Sequence, residues 1–233
     1  YQTNGFQLKC GVEFAGNLLY GLSKATHGHR SDGMYNIFGI AYSQYAKLDF
    51  DFAKSIILGE KNSLALHVAF GIGIPYGNST ILPYEKRYFA GGANSVRGWS
   101  VRDLGPGSYK GKDGKVDFVN QTGNMKLDLS AEWRTHLFWK LHGAFFLDAG
   151  NVWNTRSYPN MEGSEFHFDS FYKQIALAYG LGIRFNFNYF ILRFDGGMKA
   201  IDPAHPHGRL HFPITKPNFS RDFALHFAVG LPF

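Results

Sequence analysis

Apolar and polar positions alternate with a period of two along almost the whole chain. Leu64, Leu66, Val68, Phe70, Ile72 and Ile74 take every second position, and Ala65, His67, Ala69, Gly71 and Gly73 fill the gaps. Ile175, Leu177, Tyr179, Leu181, Ile183 and Phe185 alternate in the same way with Ala176, Ala178, Gly180, Gly182 and Arg184. The last twelve residues set Phe223, Leu225, Phe227, Val229, Leu231 and Phe233 against Ala224, His226, Ala228, Gly230 and Pro232. A strand points successive side chains to opposite faces, so alternation of this length predicts strands that are apolar on one face. Eight such runs are predicted, near residues 5–20, 38–54, 63–75, 122–137, 140–153, 173–187, 188–200 and 222–233. Many are longer than the roughly 5–6 residues usual in soluble sheets. They match the 9–11 or so residues that a tilted strand needs to cross a bilayer.

The connections alternate too. Long ones are expected near 21–37, 76–121, 154–172 and 201–221, and short ones near 55–62, at His136 to Trp139 and at Asn186 to Asn188. Long loops at one end and short turns at the other fit an outer-membrane barrel, with the long loops outside and the C-terminus in the periplasm. A soluble β-sandwich also alternates. Strand length and loop asymmetry argue against it, as do aromatics near the predicted strand ends: Tyr20, Tyr76, Trp139, Trp153, Tyr189 and Phe233 suit interfacial girdles.

Composition narrows this picture. No stretch approaches the eighteen or so consecutive apolar residues of a membrane helix, which excludes helical spans but not strands. The single cysteine, Cys10, excludes an internal disulfide. The net charge of +6 is scattered apart from Lys110, Lys112 and Lys115, so it reads as loop and lumen chemistry and not as a nucleic-acid surface. The sequence given opens at Tyr1 without a basic-then-apolar segment, and the chain is expected to be part of a longer protein.

The candidate chemistry lies on the polar faces after the longest connection. Leu127, Leu129, Ala131 and Trp133 share one face of their run, and Lys126, Asp128, Ser130, Glu132, Arg134 and His136 share the other. In the next run His142, Ala144, Phe146, Asp148 and Gly150 share a face. Glu132 and Asp148 should therefore point inward from neighbouring strands, at relative heights that depend on register. The connection itself is rich in Tyr, Phe, Trp and Gly and carries Gly91-Gly92 and Val96-Arg97-Gly98-Trp99. A loop this long is usually functional or disordered, and its composition is not that of a disordered segment. If it folds into the lumen, the planar fork of Arg97 suits the carboxylates of Glu132 and Asp148.

These residues also carry a resemblance. Phe89-Ala90-Gly91-Gly92-Ala93-Asn94-Ser95-Val96-Arg97-Gly98-Trp99 resembles the signature loop of the BamA/TamA superfamily, the bacterial surface antigen family. Phe146-Leu147-Asp148-Ala149-Gly150 resembles its Phe-x-Asp-x-Gly strand element, and Leu129 to Arg134 resembles the preceding strand with its lumenal glutamate. Phe227-Ala228-Val229-Gly230-Leu231-Pro232-Phe233 resembles the terminal β-signal. The resemblance spans roughly residues 5–233. It implies an all-β, antiparallel transmembrane barrel of sixteen strands, of which this chain would supply the last eight as part of a single barrel domain. Eight strands closing alone, or two copies sharing one ring, are the competing arrangements; an eight-stranded interior is already filled by its own side chains.

What the resemblance implies about function is assembly, insertion or translocation of other outer-membrane proteins, without covalent chemistry or a cofactor. Its partners would be outer-membrane lipids, unfolded outer-membrane proteins, and accessory lipoproteins or periplasmic proteins. The seam between first and last strands would be weak, open to a substrate strand by β-augmentation. Arg97, Glu132 and Asp148 would act as a structural latch. A two-partner secretion pore of the same superfamily and a general diffusion pore are the rival functions. A metal site at His205, His207 and His211 lacks a known ligand spacing. An esterase using the inward Ser130 and His142 lacks a nucleophile motif.

Overall fold

The computed structural model describes residues 4–112, 115, 117 and 119–233. Its wall consists of β1 (Gly5–Ala15), β5 (Tyr45–Ile57), β6 (Asn62–Pro75), β7 (Met125–Phe138), β8 (Leu141–Trp153), β9 (Ala176–Asn186), β10 (Ile191–Ile201) and β11 (Phe223–Val229). These eight form one antiparallel sheet in that order. Between β1 and β5 lie helix α1 (Asn17–Ala25) and a small sheet of β2 (Arg30–Ser31), β3 (Met34–Ile37) and β4 (Ile40–Ala41). A short helix, α2 (Phe219–Asp222), leads into β11.

Register turns the alternation into two surfaces. One row runs Leu8, Phe52, Val68, Leu129, Ala149 and Leu177 across six strands, and most of its neighbours on that face are apolar too, Lys54 being an exception. Another runs Ala65, Glu132, Phe146, Gly180, Gly197 and Ala224 on the opposite face. The apolar face is the bare one: Leu181 and Leu225 are 68% and 69% exposed, while Glu132 and Asp195 are fully buried. A soluble sheet has the reverse polarity. Among the described residues no second sheet covers the apolar face, so the sandwich arrangement does not hold. An outward apolar face with a polar interior is the signature of a membrane barrel wall.

Among the described residues the sheet is open, since β1 pairs only with β5 and β11 only with β10. The eight strands do not close on themselves.

Several predicted boundaries shift. The run 5–20 stops at Ala15, because Gly16 adopts φ 77° and the chain turns into α1. The run 38–54 begins as a strand only at Tyr45; residues 40–41 belong to the small sheet. The last run ends at Val229, and the chain leaves the sheet at Gly230. The predicted connection 76–121 includes positions 113, 114, 116 and 118, which lie outside the described residues. Two of the expected girdle aromatics are covered instead: Trp153 is fully buried against Phe166 and Phe171 of the following connection, and Phe233 stacks on His67 with ring centroids 4.9 Å apart. Tyr20 packs against Tyr35 in the small sheet, whereas Trp139 and Tyr189 are exposed at the short-turn end.

Candidate functional site

The long connection between β6 and β7 returns to the inner face of the sheet. Tyr88 and Gly123 exchange backbone hydrogen bonds of 2.8 Å, and Ala90 bridges Leu104. Inside that frame the Gly92 N–H donates to the Trp99 carbonyl at 2.8 Å, which closes a tight loop with Ser95, Val96 and Arg97 at its tip. Gly91 and Gly92 hold φ near 91° and 93°, a conformation that disfavours other residues. Ala90, Val96, Trp99 and Leu104 form an apolar cluster with Val152, Ala176 and Ala178, the inward residues of β8 and β9. The loop is thus seated by apolar packing before any charge is considered.

That seating aims Arg97 at the wall. Its Nε and Nη2 donate to the two oxygens of Asp148 at 2.7 and 2.8 Å, and its backbone N–H donates to Asp148 Oδ2 at 3.1 Å. Its Nη1 donates to Glu132 Oε2 at 2.6 Å and reaches Asp195 Oδ2 at 3.4 Å. The guanidinium lies 3.6 Å from the centroid of the Phe146 ring, a cation–π stack. Register explains the grip. Glu132 pairs directly with Phe146 and Ser130 with Asp148, so the two carboxylates sit one inward row apart with Phe146 as the floor between them. All three charged partners are at most 1% exposed.

The remaining predicted loop residues support this arrangement. Val96 and Trp99 are buried, with Lys199 Nζ 5.0 Å above the Trp99 ring. Gly98 lies against Ala178 and Lys199. Gly150 lies against Asp128 and the Leu127 carbonyl. Asp128 accepts the Ser95 hydroxyl at 2.9 Å, tying the loop tip to β7.

The cluster extends beyond the residues singled out by sequence. Arg184 donates to Glu132 at 2.9 Å and to Asp195 at 2.7 Å, and Arg134 donates to Glu132 at 2.8 Å. Arg193 lies 3.4 Å from Asp195 and donates to Asn94 of the loop. His226 on β11 donates from Nε2 to the Arg97 carbonyl at 2.9 Å, so the last strand also touches the loop. Arg184, Arg193, Asp195 and His226 all occupy inward positions by period two, and that was the available signal. Their convergence on Arg97 depends on register.

The residues of the proposed terminal signal do not meet at one point. Phe227 faces outward and packs on Phe194, with centroids 5.1 Å apart. Gly230 lies where the chain turns away, and Phe233 crosses the interior to His67 and to Arg134, whose guanidinium is 5.5 Å from its ring. Ser130 and His142 are not brought together: one pairs with Asp148, the other with His136. His205 and His211 both approach Asp202, and no three His, Cys, Asp or Glu side chains among the described residues gather as a metal site.

An inward-polar, outward-apolar antiparallel wall with a loop locked against its inner face defines a class of outer-membrane barrel proteins. The Omp85 superfamily domain matches residues 3–233, and the chain belongs to that superfamily. It is 31% identical over 116 residues to the outer membrane protein assembly factor BamA of Neisseria meningitidis serogroup B, a match covering 46% of this chain and 14% of that protein. The crystal structure of BamA from Haemophilus ducreyi lacking POTRA domains 1–3 shares the fold, with TM-score 0.57 and 19% identity over 84% of this chain and 40% of that one. The chain therefore spans less than half the length of these relatives. Membership carries a bacterial outer-membrane location with it.

Proposed function

We propose that this chain is the loop-bearing section of a larger outer-membrane barrel that assembles or inserts other outer-membrane proteins by strand pairing at a weak seam. The observation that carries the reading is the shortness of β11 at one edge of the sheet. That strand has seven residues, against eleven to fourteen in the other wall strands, and among the described residues it is, like β1, paired on one side only. An unpaired edge is costly in hydrocarbon, where no water satisfies the backbone. It is also a template for an incoming strand. The relative named as an assembly factor supports the same reading.

On this reading further strands, sixteen in all, complete the ring, the long connections face outside, and the C-terminus faces the periplasm. Arg97, Glu132 and Asp148 act as a latch: they hold the loop against the wall while the seam opens. The substrates are unfolded outer-membrane proteins, with accessory lipoproteins or periplasmic proteins as co-workers, and no covalent step is involved.

The test is depletion of the intact protein in its own cells, followed by quantification of many unrelated outer-membrane barrels. Their collective loss is expected. Loss of one secreted protein, with the other barrels intact, would overturn the proposal in favour of a dedicated secretion pore.

A further inference from the structure

The connection between β1 and β5 carries a surface that the seam and the latch do not use. In α1, Leu18, Leu22 and Ala25 recur at helical spacing on one side, while Tyr20 on the other packs edge-on against Tyr35 at 5.6 Å. Leu18 and Leu22 therefore point away from the protein, and both are exposed. Beyond the helix, β3 and β4 are joined by Phe38-Gly39, both at positive φ, as a two-residue hairpin turn requires. Phenylalanine is a poor choice there, because bulky side chains disfavour that conformation. Its ring is 99% exposed, between the exposed Ile37 and Ile40. An apolar helix face and an apolar hairpin tip in water are hard to reconcile with a surface that is merely solvated.

Their surroundings select the occupant. α1 starts two residues after β1, whose outward set ends in Val12 and Phe14, so the apolar helix follows directly on the end of that outward row. The cation Lys24 lies in its last turn, the Arg30 guanidinium lies 4.3 Å from the centroid of the Tyr35 ring, and Asp32 is the acidic residue nearby in sequence. Basic residues beside an apolar helix face suit an anionic lipid surface.

We infer that residues 16–44 form an interfacial anchor, with Leu18, Leu22 and Phe38 in the acyl boundary of the outer leaflet and Lys24 at the level of the lipid phosphates. This rests on the membrane-spanning reading of the sheet.

The test uses the intact protein folded into phosphatidylcholine vesicles with or without phosphatidylglycerol. An environment-sensitive fluorophore is attached at Leu22→Cys or Phe38→Cys in a Cys10→Ser background, at Asp169→Cys as the aqueous reference, or at native Cys10 in the outward set of β1. Positions 22 and 38 are expected to emit to the blue of position 169 and to be quenched by iodide several-fold less, with stronger shielding when phosphatidylglycerol is present. Quenching at 22 and 38 equal to that at 169, with Cys10 shielded, would overturn the anchor and leave the wall intact. An aqueous Cys10 would overturn the wall itself. Shielding that rises with protein-to-lipid ratio would assign the surface to a second copy and would also overturn the anchor.

Discussion

Arg97 and Asp148 are joined by three hydrogen bonds, two from the guanidinium and one from the Arg97 backbone N–H. The pair therefore fixes both a side chain and the path of the loop's main chain. Both residues are buried, and removing one member of such a pair leaves the other charge without compensation, at a cost of about 3–5 kcal/mol. Arg97→Ala should sharply lower the temperature at which the folded barrel loses its compact mobility in gel electrophoresis. Arg97→Lys should recover part of the loss, because an ammonium can reach one carboxylate but cannot reproduce the fork. Wild-type heat-stability in the alanine variant would contradict the latch.

Asp195 should matter although it touches Arg97 only at 3.4 Å. It accepts Arg184 at 2.7 Å and lies beside Arg193, so Asp195→Asn leaves two buried guanidiniums short of countercharge. The expected result is a stability loss comparable to that of Glu132→Gln. The Arg184→Met/Asp195→Asn double variant should be less destabilised than the two single losses added together, as measured by a double-mutant cycle.

Gly197 lies under the loop, where a Cβ would collide with the Arg97 carbonyl. Gly197→Ala should lift the loop from the wall and raise protease cleavage between residues 88 and 104. Gly21→Ala is the contrast: its Cβ meets open space within α1, and a gain of roughly 0.5–1 kcal/mol is expected from helix propensity alone.

Asp222 provides a pH-dependent contact outside the wall. Arg221 donates to both of its oxygens at 2.6 and 2.7 Å and holds its carboxyl below the usual aspartate range; the Asn218 N–H adds a bond of 2.9 Å. A depressed carboxyl contributes stability above its unfolded value of about 3.9, and loses it as the pH falls through the lower folded value. Protection against hydrogen exchange at residues 218–222, taken relative to the intrinsic rate at each pH, should therefore be high near neutrality and fall below about pH 4. Asp222→Asn should show low protection throughout and lose that dependence.

The wall was legible because period two marks both faces of a strand, and the inverted exposure of Leu181 and Glu132 follows from that pattern. The inward placement of Glu132, Asp148 and Arg184 followed as well. What was not legible depended on register and tertiary closure. The diagonal offset of Glu132 from Asp148 and the convergence of Arg193, Asp195 and His226 are set by the register between successive strands, which alternation within each strand does not fix. The strand end at Gly16 was obscured because the apolar residues of α1, Leu18 and Tyr20, continue the alternation of β1 for one more turn of chain. A terminal aromatic suits an interface, yet the Phe233 ring finds His67 across the interior.

The proposed strand exchange at the seam is tested most directly by photo-crosslinking in growing cells. A photoreactive residue at Leu225 sits on β11, and one at Leu181 on β9 is equally exposed on the same outer face but lies within the wall. Capture of newly made outer-membrane proteins is predicted at Leu225 and not at Leu181. Equal capture at both positions, or capture at Leu181 alone, would contradict a substrate-pairing edge at β11.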